Sequence, residues 1–168
     1  MASHRENHVM KVIAAATVAA VLLTAPAARA QDAEVEIGRV LDQLNVASTA
    51  ADTTAYFGLF TPDARFIGTD ATERWSLPEF RAYAEPYFSQ GRGWTYTPRD
   101  RVITIAPIDC RCMAWFDEVL DNASYGVTRG SGVLRKTADG WKIEQYVLSF
   151  TIPNDRARAV VETVRAGD

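Results

Sequence analysis

The stretch from Arg129 to Asn154, RGSGVLRKTADGWKIEQYVLSFTIPN, contains the strongest structural signal in this chain. Asp139 and Gly140 supply the chemistry of a tight turn, and they lie between two runs rich in β-branched and aromatic residues. From Trp141 to Thr151 the residues alternate as they do in a strand with two distinct faces. The stretch therefore predicts a two-stranded antiparallel hairpin near the end of the chain.

The first thirty residues have the pattern of an export signal. Val12 to Ala25 is an apolar run that follows Lys11, and Ala28-Arg29-Ala30 has the shape of a signal-peptidase site. The run is shorter than the ~20 residues that a membrane span needs, and no later run approaches that length. We expect residues 1–30 to be removed, residues 31–168 to form one domain without a membrane span, and this domain to be periplasmic or secreted from a bacterium.

Charge and histidine content exclude several functions. The chain has a formal net charge of -3, and removal of the signal takes away three basic residues and one acidic residue, so the mature chain is more acidic still. An acidic chain without a basic run is a poor partner for nucleic acid. Both histidines, His4 and His8, lie in the signal, which excludes histidine-based catalysis and histidine-rich metal sites. We expect no metal and no cofactor.

The two cysteines are separated by one residue, in Cys110-Arg111-Cys112. A disulfide would close a very small loop, and an extended strand holds the two Cα atoms near the upper limit for a bridge. The pair is also compatible with a redox or soft-metal site, or with two small residues where a turn leads into a strand.

Periodicity predicts helices first and strands afterwards. Apolar residues recur at three and four from Glu34 to Ala51, Asp52 can cap a second short helix, and Ala64 to Thr69 is a short strand. Ser76 and Glu79 form a capping box for a third helix that ends near Gln90. The remaining segments are predicted strands at Trp94–Ile105, Cys112–Asp121, Tyr125–Lys136 and Trp141–Ile152, and a helical tail at Asn154–Ala166. This order predicts an α+β domain with helices packed on a curved, mostly antiparallel sheet.

Three segments resemble the SnoaL-like domains of the nuclear transport factor 2-like superfamily. They are the C-terminal hairpin, with RGxGVLRK, WKI, QY, LSF and IPN in that order, FTPDARFIGTDATERW (Phe60–Trp75) and AWFDE (Ala114–Glu118). The resemblance covers nearly all of the chain after residue 33. It implies a cone-shaped half barrel with a cavity open at one end, and dimers in which two sheets pack back to back.

Alternation divides the last strand into two faces. We assign Trp141, Ile143, Gln145, Val147, Ser149 and Thr151 to the cavity, because this set is apolar at its start and polar at its end. The other set ends with Tyr146, Leu148 and Phe150, which would be costly on a solvated face. We predict a homodimer through these three residues; a C-terminal segment folded back over them is the alternative.

In the strand Cys112–Asp121 we assign Trp115 and Asp117 to the cavity, since a carboxylate beside an aromatic wall suits a pocket. The alternative for Asp117 is a surface charge. The predicted ligand-binding residues are Tyr56, Phe60, Phe66, Trp75, Trp94, Trp115, Arg129, Gln145, Val147 and Ser149. The aromatic members of this set are most simply core residues, and the alternative for Arg129 is an exposed charge on a strand.

Asp70 and Asp117 are the candidate catalytic residues, because burial raises the pKa of a carboxylate toward that of a general base. The resemblance implies a catalytic Asp at the position of Gly68 and, in many members, a histidine at the position of Val147; both are missing here. Asp70 shares the strand parity of Gly68, although Gly68-Thr69-Asp70 also has the composition of a turn.

These departures favour a domain that binds a small hydrophobic or ring-containing ligand without catalysis. The first alternative is an isomerase, cyclase or dehydratase that uses an Asp base and no cofactor. The second is a protein interaction module whose cone is filled by its own side chains.

Overall fold

The computed structural model describes residues 30–167. The predicted export signal lies outside these residues except for Ala30. None of the helices that the structure describes offers an apolar stretch long enough to span a bilayer. The elements, in chain order, are α1 (residues 30–49), α2 (Thr53–Gly58), β1 (Phe60–Ile67), β2 (Arg74–Ser76), α3 (Leu77–Phe88), β3 (Thr97–Ile105), β4 (Met113–Asn122), β5 (Gly126–Thr137), β6 (Gly140–Phe150) and α4 (Ala157–Ala166).

The strands form one six-stranded sheet in the order β2-β1-β6-β5-β4-β3. β1 pairs parallel with β6, and the other neighbours pair antiparallel. The buried side chains of α1, α2 and α3 join those of the inner sheet face in a single core cluster. The predicted α+β architecture, with N-terminal helices against a curled and mostly antiparallel sheet, is confirmed.

The helices follow from the sequence signals that predicted them. Ile37, Leu41 and Leu44 of α1 are buried at the expected spacing. The Asp52 carboxylate accepts a hydrogen bond from the Ala55 amide at 2.9 Å and caps α2. α3 begins after Ser76, whose amide and hydroxyl both donate to the Glu79 carboxylate, at 2.8 and 2.6 Å. Local chemistry therefore fixes where each of these helices starts.

The last strand contains a β-bulge at Glu144. Across the β5–β6 ladder Val133 pairs with Gln145, whereas the next residue, Leu134, pairs with Ile143. Glu144 is thus one residue more than β5 can match, and such an extra residue reverses the inward and outward alternation of the strand. Ile143 faces the core on one side of the bulge, and Tyr146 and Leu148 face it on the other.

This bulge overturns our assignment of faces in β6. Gln145, Val147 and Ser149 lie on the outer face of the sheet and not in the cavity. Tyr146 and Leu148 are 5% and 8% exposed inside the single chain, so they are not available to a partner. The predicted dimer surface was wrong for these two residues because strict alternation was carried through the bulge.

The predicted C-terminal helix is present but covers nothing. α4 has no buried residue, and Val160, Val161 and Val164 on it are exposed. The Tyr146 ring is covered instead by Phe66 and Phe116, at centroid distances of 5.4 and 5.8 Å. The alternative of a tail folded back over β6 is therefore also wrong.

β4 presents the opposite face from the one we assigned. Phe116 and Glu118 are buried, with exposed fractions of 3% and 0%, while Trp115 is 47% exposed on the outer face. Asp117 shares that outer face, since neighbouring residues of a strand point to opposite sides. The two faces of this strand carry similar residue types, so composition alone favoured the wrong one.

Cys110 and Cys112 form a disulfide with a Cα–Cα distance of 5.1 Å. The bridge forms because the segment between β3 and β4 is a turn, as expected where a turn leads into a strand, and the two cysteines are not held apart by an extended strand. Arg111 between the cysteines has a φ of 46°, which shortens the path between their Cα atoms.

Two glycines of β5 make room for the rings that cross it. A Cβ at Gly130 would lie 2.4 Å from the Tyr146 hydroxyl, and a Cβ at Gly132 would lie 2.1 Å from the Gln145 carbonyl oxygen in the bulge. Neither contact is possible for a real Cβ, so the strand accepts only glycine without a shift. The RGSG sequence and the bulge therefore depend on each other.

Gly132→Ala is expected to lower the free energy of unfolding by about 2 kcal/mol or more, because the new methyl group meets a backbone oxygen that cannot turn aside. Gly58→Ala is the matched control, since nothing lies within 4 Å of that Cβ position; it should be neutral or slightly stabilising. Urea unfolding followed by circular dichroism measures both. Equal stabilities for the two variants would contradict the packing described here.

Candidate functional site

A cavity of about 360 Å³ lies between α1, α3 and the inner face of the sheet. Its mouth is formed by the β1–β2 turn, the segment before β3 and the β4–β5 turn. The wall is largely aromatic, with polar groups near the mouth. The lining residues are Leu44, Asn45, Ser48, Tyr56, Phe66, Gly68, Thr69, Glu73, Trp75, Phe80, Tyr83, Gly93, Trp94, Thr95, Tyr96, Asn122, Ala123, Ser124, Tyr125, Tyr146 and Leu148.

Several rings of the wall are nearly parallel. Phe66 stacks on Phe80 at 3.8 Å and on Tyr146 at 5.4 Å, with interplanar angles of 16° and 8°. Trp75 stacks on Tyr83 at 4.6 Å and 23°. Parallel rings present their faces and edges in one orientation, which suits a flat ligand better than a round one.

Trp94 is held against the cavity by backbone contacts with α1. Its amide donates to the Ser48 carbonyl at 3.2 Å, and its carbonyl accepts from the Ser48 hydroxyl at 2.8 Å. A Cβ at Gly93 would lie 1.9 Å from the Ser48 carbonyl oxygen, so only glycine allows this approach. The segment before β3 is thereby fixed to the first helix and closes one side of the cavity.

The structure brings together part of the predicted ligand-binding set. Tyr56, Phe66, Trp75 and Trp94 line the cavity. Their contact with a ligand stays a prediction. Phe60 does not line the cavity and is packed in the core 5.6 Å from the Tyr56 ring.

The other predicted residues lie elsewhere. Trp115, Arg129, Gln145, Val147 and Ser149 belong to the outer face of the sheet, and none lines the cavity. For Arg129 the cause is register, because it pairs with Val119 and Ser149, which are also outward. The bulge accounts for the outward position of Gln145, Val147 and Ser149, and the orientation of β4 accounts for that of Trp115.

The two candidate catalytic aspartates do not reach the cavity either. Asp117 is outward on β4. Asp70 is exposed in the turn between β1 and β2, where its carboxylate accepts from the Thr72 amide and hydroxyl at 2.8 and 2.6 Å. The hydrogen bonds from Thr72 lower the pKa of Asp70, which is the opposite of what a buried general base requires.

Sequence reasoning missed four tyrosines of the cavity wall, Tyr83, Tyr96, Tyr125 and Tyr146. Burial raises the pKa of Tyr96 to about 12, and burial also raises the pKa of Tyr146 well above its ordinary value. Their hydroxyls therefore stay neutral at physiological pH and can donate hydrogen bonds to an oxygen or nitrogen of a ligand. In the sheet Tyr146 lies opposite Gly132, a register that the sequence of β6 alone does not reveal.

A buried ion network lies behind this wall. The Arg101 guanidinium donates to Glu118 at 2.6 Å, to Asp42 at 2.8 Å and to the Gly38 carbonyl at 3.0 Å. Glu118 is completely buried, and its second carboxylate oxygen has no hydrogen-bond partner among the described residues. Burial raises the pKa of Glu118, and Arg101 opposes this rise. Since Glu118 does not line the cavity, its role is to tie α1 to the sheet through Arg101.

Within residues 30–167 there is no group of three or more His, Cys, Asp or Glu side chains that could hold a metal ion. Two carboxylates lie near the cavity: Glu73 lines it at the mouth, whereas Glu118 lies behind the wall and does not line it.

A curled six-stranded sheet with helices packed on its inner face is the cone-shaped fold of nuclear transport factor 2-like proteins. A family model described as a SnoaL-like domain matches residues 37–153, and the chain therefore belongs to the SnoaL-like family. No curated protein matches the chain in sequence.

Solved structures share the fold at low identity. A candidate dehydratase of the NTF2-like family from Streptomyces avermitilis has a TM-score of 0.62 at 12% identity, over 74% of this chain and 99% of its own. A candidate aromatic ring hydroxylase from Novosphingobium aromaticivorans has a TM-score of 0.60 at 17% identity, over 73% of this chain and 91% of its own. A cystatin-like domain of unknown function from Nostoc punctiforme has a TM-score of 0.64 at 16% identity, over 78% of this chain and 85% of its own. Identities this low establish the fold alone.

Glu118→Ala is expected to lower the free energy of unfolding by about 3–5 kcal/mol, because it leaves the Arg101 guanidinium, only 17% exposed, without its buried partner. Asp42→Ala removes the other carboxylate from the same guanidinium, but the Asp42 side chain is 64% exposed, so the cost should be below about 1 kcal/mol. Urea unfolding measures both. A similar decrease in the free energy of unfolding for the two variants would show that the Arg101–Glu118 pair does not hold α1 against the sheet.

Proposed function

We propose that this SnoaL-like domain is exported and binds a small, largely apolar, ring-containing molecule in its cavity without turning it over. The observation that carries the proposal is the cavity of about 360 Å³ with its near-parallel aromatic wall. A volume in this range lies within that of small-molecule sites, which are mostly apolar with a few placed polar groups. The tyrosine hydroxyls supply such groups.

The geometry gives less support to an Asp-based enzyme. Asp70 is exposed and its pKa is lowered, and Asp117 is on the far side of the sheet. Two structural neighbours are a candidate dehydratase and a candidate hydroxylase, and these activities belong to those proteins. At such identities they do not transfer a reaction to this chain.

An interaction module with a filled cone is supported less well still, because the cone contains open volume. The hydrophobic wall of the cavity would cost free energy if it stayed in contact with water alone. A bound apolar molecule would remove that contact with water.

N-phenylnaphthylamine, a neutral dye that fluoresces in apolar surroundings, is expected to bind once per chain with a large increase in emission. Ala123→Trp should weaken binding about tenfold or more, because it places a bulky ring at the exposed mouth of the cavity. Ala138→Trp, the same change in the exposed β5–β6 turn away from the cavity, is the matched control and should bind as the wild type does. Fluorescence titration measures all three proteins.

The proposal would fail if the dye did not bind, or if it bound equally to Ala123→Trp and the control. An enzyme would reveal itself differently, by steady conversion of a bound compound that is recovered with the protein.

The proposed functional unit includes a homodimer, with its interface on the outer face of the sheet. Val102 and Trp115 are 58% and 47% exposed there, and Val133 and Val147 lie partly exposed on the neighbouring strands. Register places Val133 directly opposite Trp115. A half-exposed tryptophan with exposed valines on the same sheet face is best explained by a protein contact.

Trp115→Glu is expected to convert a dimer at micromolar concentration into a monomer, since a charge would be buried in the apolar interface. Val46→Glu is the matched control, because Val46 is 69% exposed on α1 and away from the outer sheet face. Sedimentation equilibrium measures the mass of each protein. A wild-type protein that sediments as a monomer would refute the dimer.

A further inference from the structure

The cavity carries a single formal charge. Of the residues that line it, Glu73 is the one acidic side chain, and no lysine or arginine is among them. The remaining polar groups of the wall are neutral hydroxyls, amides and backbone atoms. The formal charge available to a ligand inside the cavity is therefore negative.

The β1–β2 turn fixes the position of the Glu73 carboxylate. The Gly68 amide donates to the Glu73 carbonyl at 2.9 Å, which places the two residues across the turn from each other. A Cβ at Gly68 would lie 2.1 Å from Oε2 of Glu73, so the carboxylate occupies the space that a side chain at Gly68 would fill. The Asp70 amide also donates to this oxygen, at 3.1 Å. Glycine at position 68 thus allows the carboxylate to fold in at the cavity mouth.

In the part of the chain that the structure describes, no lysine or arginine forms a salt bridge with this carboxylate. Within residues 30–167, Glu73 takes part in none of the salt bridges, whereas the other carboxylate near the cavity, Glu118, is paired with Arg101 at 2.6 Å. Arg92 contacts the aromatic cluster through the ring of Tyr87, at 5.2 Å, and neither residue lines the cavity. A ligand can therefore supply the missing positive charge.

Aromatic rings beside the carboxylate also favour a positively charged ligand. Trp75, two residues after Glu73, stacks on Tyr83 at 4.6 Å, and both rings line the cavity. Ring faces carry negative potential and attract organic cations, tryptophan most strongly. Glu73 is also close enough to Tyr83 to add to the rise that burial produces in the pKa of that hydroxyl. Carboxylate and rings thus act on the same region of the cavity.

We propose that the ligand of this cavity is an organic cation, a flat ring system that bears a protonated amine, with the ammonium group against Glu73 and the ring against the aromatic wall. The inference rests on the proposed ligand-binding function and adds the chemical class of the ligand to it. The orientation follows from the cavity, since the carboxylate is at the mouth and the stacked rings extend inward from it.

Three probes of one shape test the charge preference: naphthylmethylammonium, naphthylmethanol and naphthoate. Each is titrated against bound N-phenylnaphthylamine at low salt. The ammonium should compete about tenfold better than the alcohol, and the naphthoate should compete worst. Added salt should narrow the differences, because it screens the carboxylate at the cavity mouth.

Glu73→Gln should reduce the advantage of the ammonium over the alcohol about fivefold and leave the binding of the alcohol unchanged. Asp70→Asn is the matched control: it removes the same charge from the same turn, but Asp70 does not line the cavity, so the preference should persist. Gly68→Ala should displace the carboxylate and reduce the preference without any change of charge.

The outcomes separate this inference from the proposed function. Equal binding of the three probes, or a preference for naphthoate, would overturn the organic-cation class while leaving a ligand-binding cavity in place. A preference that survived Glu73→Gln but not Asp70→Asn would overturn the role of Glu73. Failure of the neutral dye itself to bind would overturn both.

Discussion

The β-bulge at Glu144 is the constraint on which the inner face of this domain depends. One extra residue in β6 reverses the alternation of the strand, so that Ile143 before the bulge and Tyr146 after it both point inward. Without the extra residue Tyr146 and Leu148 would point outward, and Gln145 and Val147 would replace them beneath the helices. An apolar core would lose two large side chains and gain a buried amide.

The bulge is compatible with the sheet only because β5 offers glycine opposite it. The ring of Tyr146 crosses β5 over Gly130, and the Gln145 carbonyl comes close to Gly132. Arg135 of β5 also donates to the Glu144 carboxylate, at 2.8 Å, on the outer side. The bulged residue is thus held by a polar contact outside while its neighbours pack inside, and the space left between the rings and α1 is the cavity.

The sequence was sufficient for the elements but not for the faces of the strands. Asp52, Ser76 and Glu79 mark the helix starts because their hydrogen bonds are local, and the Asp139-Gly140 turn fixes the hairpin for the same reason. A bulge depends on the pairing with a neighbouring strand, so the sequence of β6 alone did not predict the bulge at Glu144. The inward face of β4 likewise includes Glu118, whose buried partner Arg101 lies on the neighbouring strand, so β4 alone did not identify that face. Phe66 and Trp94, two of the predicted ligand-binding residues that line the cavity, lie outside the strands where the faces were misjudged.

The inner face of the sheet, toward which the bulge turns Tyr146 and Leu148, forms the cavity in which we propose that the ligand binds. Nuclear Overhauser effects between bound naphthylmethanol and the protein test this proposal most directly, since they report contacts within about 5 Å. We predict cross-peaks from the naphthyl ring to Trp75, Trp94 and Tyr146, which line the cavity. Cross-peaks to Trp115 or Val147 would place the ligand on the outer face of the sheet and contradict the account.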